Sequence, residues 1–170
     1  MLIDDKIINN INLALTKLLN QNLQGLGRAA DMLWLGFGDP VTYIDIKGNP
    51  VIKSMYALHV QCNWEIIDGN KIILSQNDFY ESKDEAFSPF IDVDVLGNSK
   101  FDELSISLNS VIKANPPYVT DFDTDMVGGF SLKLSNNFNV TVYPYSPMEG
   151  ESWRFLMPGS DVDHLVIFEE

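Results

Sequence analysis

The chain holds 170 residues, 45% of them hydrophobic and 21% charged, which is enough apolar material for one domain with its own core and far from the composition of a disordered segment. Eleven basic residues against 24 acidic ones give a net charge of -13, which repels phosphate backbones and anionic lipids and makes nucleic acid and membrane surfaces poor partners. The same field attracts a cation or a basic protein, although acidity also serves solubility alone.

Cys62 is the single cysteine, so no intramolecular disulfide can form and nothing asks for an oxidising compartment. Asp4 and Asp5 stand where a signal peptide would be basic, and no run reaches the ~20 apolar residues of a membrane span. A cytoplasmic location is the expectation.

From Asp4 to about Gln21, the residues Ile7, Ile8, Ile11, Leu15, Leu18 and Leu19 recur at helical spacing. This predicts an amphipathic helix with Asp4 at its N-cap, laid over one face of a sheet. The apolar run 29–39, closed by Gly36, Gly38 and Pro40, reads as a buried strand, and 41–46 as a second strand ending at the turn Lys47-Gly48-Asn49-Pro50. Across 51–67, Tyr56, Leu58, Val60, Cys62, Trp64 and Ile66 alternate with Ala57, His59, Gln61, Asn63 and Glu65, the pattern of one strand with an apolar and a polar face. The turn at 68–70 and the return at 71–76 make a hairpin.

The span 77–98 is punctuated by Ser88-Pro89 and Gly97-Asn98, with 90–95 a short alternating segment. Residues 101–112 fit either period, and Asp102 and Glu103 in what would be a first turn favour a helix. Short strands follow at 118–122, 129–135, 138–144, 153–157 and 164–170. Asn136-Asn137 joins the second to the third of these, and Pro144, Pro147, Pro158 and Gly159 mark the later loops. The fold class expected is α+β: a single domain over 1–170, an N-terminal amphipathic helix packed on a mainly antiparallel β-sheet, with room for one further helix.

The stretch Ala57 to Trp64 sets His59 three residues from Cys62. On a strand such side chains point to opposite faces, so Cys62 would turn to the core with Trp64 while His59 turns outward beside Gln61. They then cannot share a metal or act as nucleophile and base. The row His59, Gln61, Asn63, Glu65 is either open surface or the floor of a site, with an imidazole able to act as acid, base or ligand near neutral pH.

Asp121, Asp123 and Asp125 have the spacing that opens a calcium loop. Met126 stands where that loop needs glycine and Leu132 where it needs glutamate, so the acids read as the wet side of a strand, with a cation site as the alternative. His164 lies beside Asp161 and Asp163, and 90–95 offers Asp92 and Asp94, in each case with solvated loop acids as the plainer reading. Arg154, between Trp153 and Phe155, and Arg28 each suit either an ion pair or the bidentate grip of a ligand carboxylate. The binding candidates are therefore His59, Gln61, Arg154 and His164, and the metal candidates Asp121, Asp123 and Asp125.

No phosphate-binding loop, dinucleotide fingerprint, nucleophile elbow or zinc-protease helix motif occurs, and no cofactor is expected. Through 27–38, 57–64, 151–155 and 164–168, the chain resembles a group of small uncharacterised bacterial proteins that carry these pieces in this order. That resemblance implies a bacterial, cytoplasmic origin and assigns no activity. Two functional expectations remain. One is a non-catalytic, acidic module of the immunity or antitoxin-like kind that meets a basic protein. The other is a small-ligand or divalent-metal-binding protein, extending to a hydrolase, in which His59 or His164 converges with acids or Arg154 in one pocket.

Overall fold

The computed structural model describes residues 3–84, 91–144 and 150–169. The first element is helix α1 (Asp5–Thr16), opened by the Asp4 carboxylate, which accepts the Lys6 N–H at 2.8 Å. Ile11, Ala14 and Leu15 form its buried stripe. The helix stops at Thr16, short of the expected Gln21, and Leu18 enters the core from the following turn, where Asn20 takes a φ of 63° and reverses the chain.

Ten strands follow among the described residues: β1 (Leu23–Ala29), β2 (Met32–Ile44), β3 (Pro50–Val60), β4 (Asn63–Asp68), β5 (Lys71–Ser75), β6 (Val119–Thr124), β7 (Phe130–Leu134), β8 (Phe138–Tyr143), β9 (Gly150–Leu156) and β10 (Leu165–Glu169). A 3₁₀ turn (Gln76–Phe79) and helix α2 (Lys100–Ala114) lie between β5 and β6. All strand pairs are antiparallel, in two five-stranded sheets ordered β1-β2-β3-β9-β10 and β5-β4-β8-β7-β6. The fold is α+β, and the uncertain segment 101–112 is helical. No helix among the described residues is long and apolar enough to cross a membrane.

Several local expectations are corrected. The segment 51–67 is two strands in two different sheets, because the chain leaves β3 at Val60 and enters β4 at Asn63. Gly36, Gly38 and Pro40 do not close a strand: β2 runs through them to Ile44, with the ladder register shifting between Phe37 and Pro40. A bulge tolerates a residue without an N–H and a glycine at φ 78°, which is why those breakers sit inside the strand. Gly25 and Gly27, in the interval between the expected helix and the expected strand at 29–39, lie within β1. Ile91 to Val95 form no strand, while Phe90, Ser88-Pro89 and Pro147 lie outside the described residues.

The helices close the edges of the sheets instead of covering a face. Helix α1 packs against β6 and β10, one edge strand of each sheet, and α2 packs against β1 and β5, the other two. Edge strands present unpaired backbone groups that invite foreign pairing, so covering them protects the sheet as well as sealing the core. One continuous core results, with contributions from both sheets and both helices. Trp153 of β9 donates its indole N–H to the Gly128 carbonyl at 2.8 Å and meets Phe130 of β7 edge-on at 4.8 Å, tying one sheet to the other. Trp64, Phe79 and Phe101 form a second aromatic group at 4.7 to 6.0 Å, joining β4, the 3₁₀ turn and α2.

Candidate functional site: a cleft on the outer face of the first sheet

Residues directly opposite each other on antiparallel strands share a face. The register therefore sets Gly27, Trp34, His59, Arg154 and Val166 in one row across all five strands of the first sheet. Two residues along each strand, Gly25, Gly36, Ala57 and Leu156 form the adjoining row. The opposite face carries Leu33, Leu35, Leu58, Val60 and Phe155, all in the core. The row of two glycines and an alanine leaves a trough where larger side chains would stand. Tyr43, Ile52 and Lys53, from the hairpin arm that β2 and β3 extend beyond the sheet, and Met157 to Ser160 with His164, from the β9–β10 loop, complete a cleft of about 860 Å³.

Two glycines let aromatic rings pack closely on the backbone. A Cβ on Gly27 would lie 2.4 Å from the Trp34 ring, so the indole packs directly against the β1 backbone with 39% of the residue still exposed. Gly159 has a φ of 76°, and a Cβ there would meet the Tyr43 ring at 2.5 Å.

His59 is half-buried, and burial, more than any neighbour, pushes its imidazole pKa below the usual value. The positive charge of Arg154 pushes the same way, Glu151 opposes it, and His164 and Lys53 add smaller downward contributions. The imidazole is thus neutral at neutral pH and makes no side-chain hydrogen bond among the described residues. One nitrogen can donate and the other accept.

Arg154 grips Glu151 through both guanidinium and carboxylate edges, Nε donating to Oε1 at 2.6 Å and Nη2 to Oε2. Residues three apart on a regular strand face opposite ways; here the register slips at Ser152, where Ile167 faces Trp153 but Phe168 faces Glu151. The Ser152 carbonyl accepts the N–H groups of both Gln61 and Cys62, at 2.8 and 3.1 Å. One bulge thus brings Glu151 onto the Arg154 side and anchors the point where the chain leaves β3 for β4. Arg154 foremost holds the Glu151 carboxyl below its usual range, with help from the Gln61 side chain and the charge of His59.

The four binding candidates fall close together: His59 and His164 line the cleft, Arg154 stands next to His59 in its row, and Gln61 reaches Glu151. The three metal candidates do not converge. Asp121 and Asp123 are exposed on β6 and both reach Lys133 Nζ, at 3.3 and 3.5 Å, whereas Asp125 turns back to accept the N–H groups of Val127 and Gly129. Among the described residues no group of three or more His, Cys, Asp or Glu could hold a metal ion. Asp161 and Asp163 are exposed, and Asp92 accepts the Asp94 N–H at 3.0 Å. Cys62 is in the core. Arg28 is buried and pairs with Asp102, so its role is to join β1 to α2.

Sequence reasoning missed Trp34, Tyr43, Lys53 and the row of small residues. One signal for the last was present: Gly25 and Gly27, then Gly36 and Gly38, recur with the period of a strand, and glycine inside a strand marks close approach of another group. Comparison of the chain with protein-family models, with curated proteins and with solved structures found no match.

Proposed function

We propose that the protein binds a small organic ligand in the cleft on the outer face of the first sheet. The observation that carries this reading is that His59 and His164, far apart in sequence, line one concave and mostly apolar cleft beside an exposed tryptophan. Ligand sites are concave, largely apolar and supplied with a few polar groups that fix orientation, and about 860 Å³ falls within their usual range of roughly 300–1,000 Å³. Hydrolysis is not part of the reading, because the carboxylate nearest His59 is committed to Arg154. The test is a protein-observed NMR screen of a fragment library. Hits that perturb Trp34, Ala57, His59 and His164 together support the reading, and a library whose hits all map elsewhere, or that yields none at millimolar concentration, removes it.

A second reading, a non-catalytic module of the immunity or antitoxin-like kind that meets a basic protein in the cytoplasm, has the charge of -13 and one structural feature in its favour. Ile44, Ile46 and Ile52 stand exposed on the β2–β3 arm, apolar anchors that a partner could cover. It predicts a reconstituted complex with a purified basic protein that weakens with salt and is lost in an Ile44→Ser, Ile46→Ser, Ile52→Ser variant. A complex indifferent to both salt and the arm would count against it.

A further inference from the structure

We infer that the ligand of this cleft is a small organic anion with a planar apolar body, its negative charge met by the basic lining that Lys53, His59 and His164 provide and its flat part lying against Trp34. The inference rests on the ligand-binding reading above and adds the chemical class. Its first support is charge. The chain carries more than two acids for every base, yet among the described residues lining the cleft there is no Asp or Glu, while Lys53, His59 and His164 all line it. The contrast with the groove between β5 and α2 is direct, because that groove is lined by Asp78 and Glu81, both paired with Lys100.

The ionisable groups around His59 are Arg154, Glu151, His164 and Lys53. Arg154 and Glu151 cancel each other as an ion pair. What remains is one ammonium and two imidazoles able to donate an N–H, with no carboxylate among the described lining residues, an arrangement that favours an anion over a cation. Asp163, adjacent to His164 in sequence, lines a different and smaller cavity beside α1 and leaves that balance intact.

The second support is shape. Three indole atoms of Trp34 would lie 2.4 to 2.8 Å from a Cβ on Gly27, so the ring packs against the β1 backbone beside the low floor of Gly25, Gly36 and Ala57. A planar aromatic ring fits that floor and makes an aromatic contact with the indole that a saturated body of the same size cannot make. A charge-assisted hydrogen bond at the head is worth roughly tenfold to a hundredfold in affinity.

Three probes of matched shape test the inference: 2-naphthoate, 2-naphthamide and 2-(aminomethyl)naphthalene, titrated into the full chain by calorimetry with NMR to locate them. The expected result is that the acid binds at least about tenfold tighter than the amide, with the amine weakest, and that perturbations centre on Trp34 and His164. Lys53→Gln, at an exposed position, should cut the preference for the acid to within about threefold, and in the unaltered chain the preference should shrink as salt rises. Equal affinity for acid and amide, or tighter binding of the amine, overturns the anion while leaving the cleft as a ligand site. Failure of all three probes to bind at millimolar concentration also overturns it, and the fragment screen then decides separately whether the cleft binds ligands at all.

Discussion

His59 couples the cleft to pH. Its folded-state pKa lies below the unfolded value of ~6.5, so acidification protonates the unfolded chain first. The penalty is absent above about pH 7, grows as pH falls through ~6.5 and levels off below the folded pKa. Between pH 7 and 5 the parent chain should therefore lose more in Tm than a His59→Gln variant. Equal losses in the two melting series would show that the imidazole is not held neutral by its surroundings.

Trp34 supplies a second test at this scale. Gly27→Ala places a methyl group inside the indole's present position, and because Trp34 is partly exposed the ring can swing outward instead of forcing the backbone apart. The fold should survive with a cost of about 1 kcal/mol or less, while the fluorescence of Trp34 shifts toward that of a solvated indole and binding in the cleft falls. A spectrum unchanged by Gly27→Ala would mean the ring does not rest on β1. Residue by residue, alternation was enough to expect Cys62 inward and His59 outward. The residues that matter beside His59 come from β2 and β9, and nothing local to 57–64 points to them.

Among the elements, α2 shows how much one carboxylate can carry. Asp102 closes the capping box with Ser99, accepts the Gly97 N–H at 2.8 Å and takes both Nε and Nη2 of the buried Arg28, each at 2.7 Å. Arg28 in turn donates to the carbonyls of Ala30, Val93 and Val95, so one ion pair binds β1, the 93–97 loop and the start of α2. Arg28→Ala should cost about 3–5 kcal/mol, the range for breaking a buried pair from one side, whereas Ser99→Ala should cost about 1 kcal/mol as a lost cap. Urea midpoints read both, and an Arg28→Ala cost near that of Ser99→Ala would demote the pair to a surface contact. Asp102 is held well below the usual carboxylate range by Arg28 first, so its contribution is present above about pH 4 and is lost only in strong acid.

The same element was half legible beforehand. Phe101, Leu104 and Leu108 suit a helix and Leu104, Ile106 and Leu108 a strand, and the acids at the start tipped the balance correctly because they complement a helix N-terminus. At β2 the local rule misled. Gly36, Gly38 and Pro40 punctuate most chains, but here the ladder with β3 continues past them because a bulge absorbs the irregular residues.

For the molecule as a whole, the decisive arrangement is two sheets that share a strand-to-strand crossing at Gln61–Cys62 and have their four edges covered by two helices. With one core and no boundary between the sheets, unfolding should be a single cooperative event. Trp153 reports on the first sheet and Trp64 on the second, so in each variant retaining only one of them, made by Trp→Phe changes at the other two positions, the fluorescence and far-ultraviolet circular dichroism denaturation curves should coincide. Separated midpoints would divide the core. The continuous apolar alternation of 51–67 could not reveal this crossing: both strands face the same core, so the side-chain pattern runs on unbroken while the hydrogen-bond partners change.

Composition, a periodic helix stripe and a succession of short alternating strands determined, without coordinates, that this is an acidic α+β domain with an N-terminal helix and mainly antiparallel strands. Those properties are local, since 3.6-residue and two-residue periods are written into neighbouring side chains. The division into two sheets, the helices at the edges and the cleft were decided by tertiary structure alone. Each depends on register between strands far apart in sequence, and register sets His59 beside Arg154 and Trp34 through backbone pairing that no single strand encodes.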